Sequence, residues 1–182
     1  MTGLSNIMVL AAAYLVVFFQ VSFGGLRAWT GAQLDLLPSL VVYVSLTHGS
    51  ATLVLLTVGG GLLFDSMSAN PLGVSILPLF LIGFILQRYR GLLLRDEPFA
   101  QWTLGFGASA AAPAMTVLIL LNMDRQPLIS WFSLWQWLVT SLLGAAVTPL
   151  WFGLFDWVNR ALNYRLLADS AFRSDREIKR GR

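Results

Sequence analysis

The sequence contains no cysteine, one histidine and few charged residues. Only 12% of its 182 residues are charged, whereas about a quarter are charged in a typical soluble domain. Without cysteine the chain cannot form a disulfide, a thiolate nucleophile or a cysteine-based zinc site, and the single His48 argues against a histidine-rich metal centre. The composition therefore excludes a soluble enzyme, a nucleic-acid-binding domain and a disordered chain, and we expect no metal and no cofactor.

Long uncharged, apolar runs take the place of the missing charge. Hydrophobic residues make up 57% of the chain, and its mean hydropathy is +0.71. Because a helix crosses the hydrocarbon core of a bilayer in about 20 apolar residues, we predict an all-α, polytopic integral membrane protein with a single transmembrane domain at residues 1–158. Its six predicted transmembrane helices are 6–26, 34–47, 50–65, 72–87, 99–122 and 129–158.

Two of the uncharged, apolar runs have alternative interpretations. The first run could be a signal peptide, but no Lys or Arg precedes it and no A-x-A site follows it. The uncharged run 36–64 could be one span, which would give five spans in all. As a single helix, however, its 29 residues would extend about 43 Å, which overshoots the bilayer core. The polar segment Thr47–Ser50 lies near its middle and contains a glycine, so two short helices are favoured.

The basic residues predict the orientation of the chain. Residues 157–182 contain seven Lys or Arg and three Asp or Glu. Their net charge of +4 exceeds the +3 of the whole chain, so the basic character belongs to this C-terminal segment. With six spans, one side of the membrane carries ten Lys or Arg and the other carries Arg27 and Arg125 alone. The positive-inside rule then places both termini in the cytoplasm. Residues 159–182 are predicted to be a basic cytoplasmic tail in contact with anionic lipid headgroups.

Tryptophans lie near both ends of the last predicted span. Tryptophan rings prefer the headgroup region of a bilayer, so these residues are predicted to mark the two interfaces. They are Trp131, Trp135, Trp137, Trp151 and Trp157.

Ionisable residues within a membrane usually carry function, but here they do not lie deep in the spans. The acids closest to the spans all fall at predicted helix ends: Asp35, Asp65, Asp124 and Asp156. We therefore expect no proton or ion path. His48 lies close in sequence to Ser45 and Ser50, but no G-x-S-x-G element accompanies it, and the protein is not expected to be an enzyme.

Small residues spaced by four are predicted to pack helices together. Gly105 and Ser109 form such a pair in the fifth span, and Ser141 and Ala145 form one in the sixth. Small side chains let helix backbones approach closely in a membrane. The spacing does not distinguish packing inside the bundle from packing against a partner's transmembrane helix.

One short segment of the chain resembles a known family. Residues 61–74 read GLLFDSMSANPLGV, and this segment is similar to the signature of the MreD family of rod-shape-determining proteins. The shared pattern is a glycine, an aspartate after apolar residues, a small polar turn and then Leu-Gly. The residues of this sequence that match it are Gly61, Asp65, Ser68, Pro71 and Gly73.

A second, upstream match is weaker. Pro38 precedes an apolar helix that contains Tyr43, which resembles the family's proline before a tyrosine-containing helix, although Ser39 replaces the usual acid or amide. The layout of six spans in about 180 residues also fits the family. We regard Pro38, Tyr43 and the five residues of the 61–74 segment as candidate structural or partner-binding residues.

The resemblance implies a non-catalytic scaffold in the bacterial inner membrane. Such proteins bind MreC and help couple the actin-like MreB to RodA and the elongation penicillin-binding protein, which synthesise peptidoglycan and maintain rod shape. The family is also similar in fold to the substrate-binding subunits of energy-coupling-factor transporters. A membrane subunit that binds a small, vitamin-type molecule is therefore the alternative function.

The two functions make different demands on the sequence. A transporter subunit needs a polar pocket, but the polar residues deep in the predicted spans are scattered along the chain: Gln20, Thr57, Ser109, Thr116 and Thr140. A scaffold needs a shaped surface. In the 61–74 segment, Gly61 would permit close approach, Asp65 would accept hydrogen bonds from backbone N–H groups of the turn, and Gly73 would adopt an unusual conformation. We predict that MreC recognises this turn.

Overall fold

The computed structural model describes residues 2–22, 35–68, 71–93, 97–123 and 131–171. In these ranges the protein is all-helical, and a helix occurs at each of the six predicted positions, which confirms the all-α fold. We number the helices in chain order as α1 (Thr2–Ser22), α2 (Leu37–Thr47), α3 (Ser50–Met67), α4 (Ile76–Tyr89), α5 (Pro98–Asn122) and α6 (Trp131–Ala171).

Three of these helices are long and apolar enough to cross a membrane. They are α3, α5 and the part of α6 from Trp131 to Ala161. The apolar segments Asn6–Gln20, Leu37–Thr47 and Ile76–Tyr89 are shorter. Large apolar side chains are exposed along many of the helices, and a surface of this kind is suited to lipid. The fold and composition thus define a helical membrane protein, and crossing by the three shorter helices stays a prediction.

Several helix ends differ from the predicted spans. Helix α1 begins four residues earlier than the predicted 6–26 span, and residues 23–26 of that span lie outside the described residues. Helix α4 begins at Ile76 instead of 72, because residues 72–75 form a turn. Helix α6 continues past the predicted end at 158 to Ala171, since no glycine or proline follows Gly153 within it to stop the helix. Residues 159–171 are thus helical, and the rest of the predicted tail, 172–182, lies outside the described residues.

The chain divides into two compact units, Met1–Trp151 and Phe152–Arg182. The first unit contains α1 to α5 and the part of α6 up to Trp151. The second contains the remainder of α6. Every contact and cavity described below lies within the first unit.

The break between α2 and α3 falls where the polar segment predicted it. Helix α2 ends at Thr47 and α3 begins at Ser50, which favours two short helices over one long one. The His48 N–H donates to the Val44 carbonyl oxygen over 2.8 Å, and the Gln87 side-chain amide donates to the His48 carbonyl oxygen over 3.2 Å. These bonds satisfy backbone groups that a helix end would otherwise leave unpaired.

Helix α2 lies at the centre of the first unit. All residues from Leu37 to Leu46 are buried, as expected for a helix that is apolar on every side. Helices α3 and α4 approach it closely at Gly83, where a Cβ atom would lie 2.9 Å from Val41 and 2.6 Å from Leu53. A side chain at this position would force the Val41 and Leu53 side chains to shift.

Helices α5 and α6 meet at a similarly tight crossing. A Cβ atom on Gly105 would lie 2.9 Å from the Gly144 carbonyl oxygen and overlap Thr148, and one on Gly144 would overlap the Ser109 side chain. Gly105 and Ser109, which the sequence marked for helix packing, are therefore used inside the chain. Ser141 and Ala145, the corresponding pair in α6, are also buried.

The crossing yields a stability prediction. Substitution Gly105→Ala should destabilise the protein by about 2 kcal/mol, because overpacking forces rigid helix backbones apart. The measurement is chemical unfolding of the purified protein in detergent.

The matched control is Gly107→Ala, two residues along the same helix. A Cβ atom there meets nothing within 4 Å, so this variant should be neutral or stabilising, by up to about 1 kcal/mol from helix propensity. Equal effects of the two substitutions would contradict the close crossing.

Candidate functional site

The 61–74 segment folds into a turn organised by one buried carboxylate. Asp65, in the last turn of α3, is 1% exposed. One of its oxygens, Oδ2, accepts from the backbone N–H groups of Gly73 at 2.8 Å and Ser75 at 3.1 Å. The other, Oδ1, accepts from the Ser75 hydroxyl at 2.5 Å. Acceptance of backbone N–H groups by Asp65, predicted from the sequence, is confirmed.

Two glycines make this arrangement possible. Gly73 has a φ of +93°, a conformation that L-residues with a side chain adopt only at a cost. Gly61 lies one helical turn before Asp65, and a Cβ atom there would come within 2.9 Å of Ile76 Cγ1 and 3.1 Å of Ile76 Cα. The start of α4 can therefore lie directly against α3. Both expected glycine roles are confirmed.

The rest of the segment completes the turn. The Ser68 N–H donates to the Asp65 carbonyl oxygen at 3.2 Å and ends α3, and the Val74 N–H donates to the Pro71 carbonyl oxygen at 3.3 Å. Leu72 is 70% exposed. Residues 69 and 70 lie outside the described residues. We call residues 65–68 and 71–75 the Asp65 turn, which combines a buried polar anchor with an exposed apolar side chain.

The upstream candidates, Pro38 and Tyr43, lie elsewhere in the fold. Both are buried within α2, and the Tyr43 ring packs edge-on against His48 with 5.7 Å between ring centroids. Neither side chain is accessible to a partner protein, because both are covered by other residues of the first unit. The structure therefore gives these residues a place in the core and does not bring them to the exposed surface of the Asp65 turn.

Ser39, where the sequence departs from the family pattern, joins α2 to α6. Its hydroxyl donates to the Leu36 carbonyl oxygen at 2.7 Å and accepts from Trp151 Nε1 at 3.0 Å. The contact joins residues 112 positions apart, so no local pattern could have predicted it. Trp151 was predicted to mark a membrane interface, and its indole N–H instead bonds inside the protein.

A cavity of about 660 Å³ lies beside the Asp65 turn. Its walls come from the second half of α5, the first turns of α6 and the neighbouring ends of α2, α3 and α4. The lining residues include Leu37, Phe64, Pro78, Leu79, Ala112, Pro113, Ala114, Thr116, Val117, Leu118, Leu134, Trp137 and Thr140. The volume falls within the range of about 300–1,000 Å³ typical of small-molecule sites.

Helices α5 and α6 are also joined beside this cavity. Pro113, inside α5, has no N–H to donate to the preceding helical turn. Close to it, Trp137 Nε1 donates to the Ala110 carbonyl oxygen over 2.8 Å. This bond lies next to the Ser109 carbonyl oxygen, which Pro113 leaves without its helical N–H donor. Trp137, like Trp151, makes an internal bond that its predicted interfacial role did not anticipate.

Only some of the polar residues that the sequence places deep in the predicted spans line this cavity. Thr116 and Thr140 line it, whereas Gln20, Thr57 and Ser109 are not among its lining residues. Both threonine hydroxyls donate to carbonyl oxygens of their own helices, at 3.0 Å to Ala112 and 2.9 Å to Gln136. The sequence positions of these residues therefore did not predict a cavity. The surface of the cavity is mainly apolar.

No catalytic arrangement emerges from the geometry of the described residues. The Ser45 hydroxyl donates to the Val42 carbonyl oxygen at 2.9 Å, and His48 Nδ1 lies 2.6 Å from the Thr47 hydroxyl. Within the ranges that the structure covers, no group of three His, Asp or Glu side chains is arranged to hold a metal ion.

No family model matches the sequence, and no curated protein or solved structure is significantly similar to it. Its function must therefore be argued from its own residues and geometry.

The Asp65 turn yields a second stability prediction. Asp65→Ala would leave the buried Ser75 N–H and hydroxyl without their acceptor, and it should destabilise the protein by about 3 kcal/mol. Thermal unfolding in detergent measures the change.

The neighbouring Ser66→Ala is the control, since the Ser66 hydroxyl is exposed and bonds only locally to the Leu63 carbonyl oxygen. That variant should unfold within about 0.5 kcal/mol of the parent. If Asp65→Ala is as stable as Ser66→Ala, the carboxylate does not organise the turn.

Proposed function

We propose that this protein is a non-catalytic membrane scaffold of the MreD type. In this role it binds MreC and helps couple MreB to RodA and the elongation penicillin-binding protein during peptidoglycan synthesis. The observation that carries the proposal is the Asp65 turn. Asp65 and Gly73, which carry the sequence resemblance together with Gly61, are joined by a hydrogen bond, and Gly61 packs against the start of α4 beside them. The motif therefore corresponds to a physical structure.

The exposed part of the Asp65 turn is the proposed contact surface for MreC. Asp65 is buried and cannot reach a partner itself, so its role in binding is to fix the turn. Leu72, which projects from the turn, can bury apolar surface against a partner. Such burial contributes about 25 cal/mol per Å², and the backbone next to Leu72 is already held by the hydrogen bond from the Gly73 N–H to Asp65, which lowers the ordering cost of binding.

The proposed location is the bacterial inner membrane, with all six helices crossing and both termini in the cytoplasm. The excess of basic residues on one side of the six-span arrangement supports this orientation. It assigns the Asp65 turn to the periplasmic side, where MreC has its soluble domain according to the resemblance. It assigns the turn after α4, which contains Gly91, to the cytoplasm.

The absence of cysteine allows a direct test of this orientation. Single cysteines are introduced as Leu72→Cys and Gly91→Cys, both at exposed positions. A membrane-impermeant maleimide applied to spheroplasts should label the first variant and leave the second unlabelled until the membrane is lysed. The reverse pattern would invert the orientation, and labelling of both variants before lysis would contradict a crossing between them.

Partner binding is tested by co-purification of MreC with variants of the turn. Leu72→Ser should reduce the recovery of MreC while leaving insertion and stability unchanged, because only exposed surface is altered. Asp65→Ala should reduce both recovery and stability.

Leu92→Ser is the matched control, because Leu92 is 82% exposed in the turn after α4, on the opposite proposed side. It should recover MreC as the parent does. Unchanged recovery with Leu72→Ser and Asp65→Ala, together with normal cell shape, would eliminate the proposal.

The cavity favours a second candidate function, a substrate-binding subunit of a small-molecule transporter. Its volume is sufficient for a vitamin-sized ligand. Purification from native membranes distinguishes the two functions: recovery of ATP-binding cassette subunits supports transport, whereas recovery of MreC and peptidoglycan synthases supports the scaffold.

A further inference from the structure

The cavity has a chemical character that narrows its ligand. Its deepest surface is formed by buried apolar side chains, among them Leu37, Leu79 and Ala112. Leu118 and Leu134, by contrast, are about half exposed or more, at 59% and 49%. The cavity is therefore a recess with an apolar base, and its exposed rim on α5 and α6 is apolar as well.

Asp35 is the one ionisable side chain among the described residues that line this recess. Its Oδ1 accepts from the Leu37 N–H at 3.2 Å, at the start of α2. The Gln20 side chain is a second hydrogen-bonding neighbour of this carboxyl. A carboxylate has room for several hydrogen bonds on its two oxygens, so these two neighbours leave acceptor capacity. No Lys or Arg occurs among the described lining residues to balance an anionic ligand.

Several hydroxyl groups around the recess already donate their hydrogen bonds within the protein and are not available as donors to a ligand. The Ser75 hydroxyl donates to Asp65, and those of Thr116 and Thr140 donate to backbone carbonyl oxygens. The indole N–H of Trp137 is likewise bonded to the Ala110 carbonyl oxygen. These donors already have acceptors within the protein. The exposed Gln136 side-chain amide, which also lines the recess, is neutral and can donate as well as accept. The recess therefore presents mainly apolar surface, one carboxylate and one neutral amide to a ligand.

We infer that this recess binds a membrane lipid whose apolar chain lies between α5 and α6 and whose polar end donates hydrogen bonds to Asp35. The compatible polar ends are alcohol and ammonium groups. An anionic end would meet the Asp35 carboxylate with no cation among the described lining residues, and like charges at close range repel each other. The inference does not depend on the scaffold role, because the recess lies inside the chain and its binding is measured without MreC.

Three probes with the same chain and different polar ends test this selectivity: hexadecylamine, hexadecanol and hexadecanoate. Binding to the purified, detergent-solubilised full-length protein is measured by native mass spectrometry across a concentration series. The amine should bind about tenfold more tightly than the carboxylate, as expected for a charge-assisted hydrogen bond, with the alcohol between them. Equal binding of the three probes, or tighter binding of the carboxylate, would overturn the inference.

Asp35→Asn tests the proposed contact. Asparagine retains an oxygen that can accept from the Leu37 N–H and is itself a good helix cap, so folding should be preserved, as checked by thermal unfolding. The amine should lose its advantage over the carboxylate in this variant. Retention of the tenfold preference would show that Asp35 does not hold the polar end.

Two alanines of α5 provide a matched pair for the chain of the ligand. Ala114 lines the recess and Ala111 does not, although both are half-buried in the same helix. Ala114→Phe should weaken binding of hexadecylamine and hexadecanol at least about tenfold by filling the recess, whereas Ala111→Phe should bind as the parent does. Equal binding by both variants would place the probes on the general apolar surface and overturn the inference.

Discussion

A carboxylate removed from water needs hydrogen-bond donors, and Asp65 finds three of them in one turn. Two are backbone N–H groups, of Gly73 and Ser75, and the third is the Ser75 hydroxyl. Because these donors come from the chain just before α4, the carboxylate fixes where α4 begins and how it leaves α3. The arrangement requires the positive φ of Gly73 and the missing side chain of Gly61. The position of α4, and through it the packing around α2, depends on this buried polar anchor.

Close approach of backbones is the second constraint. In a bilayer, helices gain little from hiding apolar surface, since lipid is also apolar, so contact between closely packed small residues matters more. Gly83 lets α4 approach α2 and α3, while Gly105 and Gly144 leave room for the Thr148 and Ser109 side chains where α5 and α6 cross. Beyond that crossing, near Pro113, these two helices border the recess instead of filling it. Helices α5 and α6 thus pack tightly at Gly105 and Gly144 and border an open recess farther along, near Pro113.

These features separate two surfaces with different chemistry. The Asp65 turn combines an exposed apolar side chain with a buried, hydrogen-bonded anchor, which suits recognition by another protein. The recess between α5, α6 and the helix ends is mainly apolar, with one carboxylate among its described lining residues, which suits an amphiphile from the membrane. The proposed scaffold role and the proposed lipid binding are compatible, because the first would use the exposed side of the turn and the second the interior beside it.

The sequence alone determined the all-α class, the positions of the six helices, the break at 47–50 and the hydrogen bonding of the Asp65 turn. These follow from local information: apolar run length, a polar interruption, and an aspartate and glycine within ten residues of each other. Tertiary structure decided what depends on contacts between distant residues. The burial of Tyr43, the bond from Trp151 to Ser39 across 112 positions, and the bond from Trp137 to Ala110 could not be read from local patterns. The recess could not either, because its lining residues come from five helices and its one carboxylate, Asp35, precedes α2 by two residues.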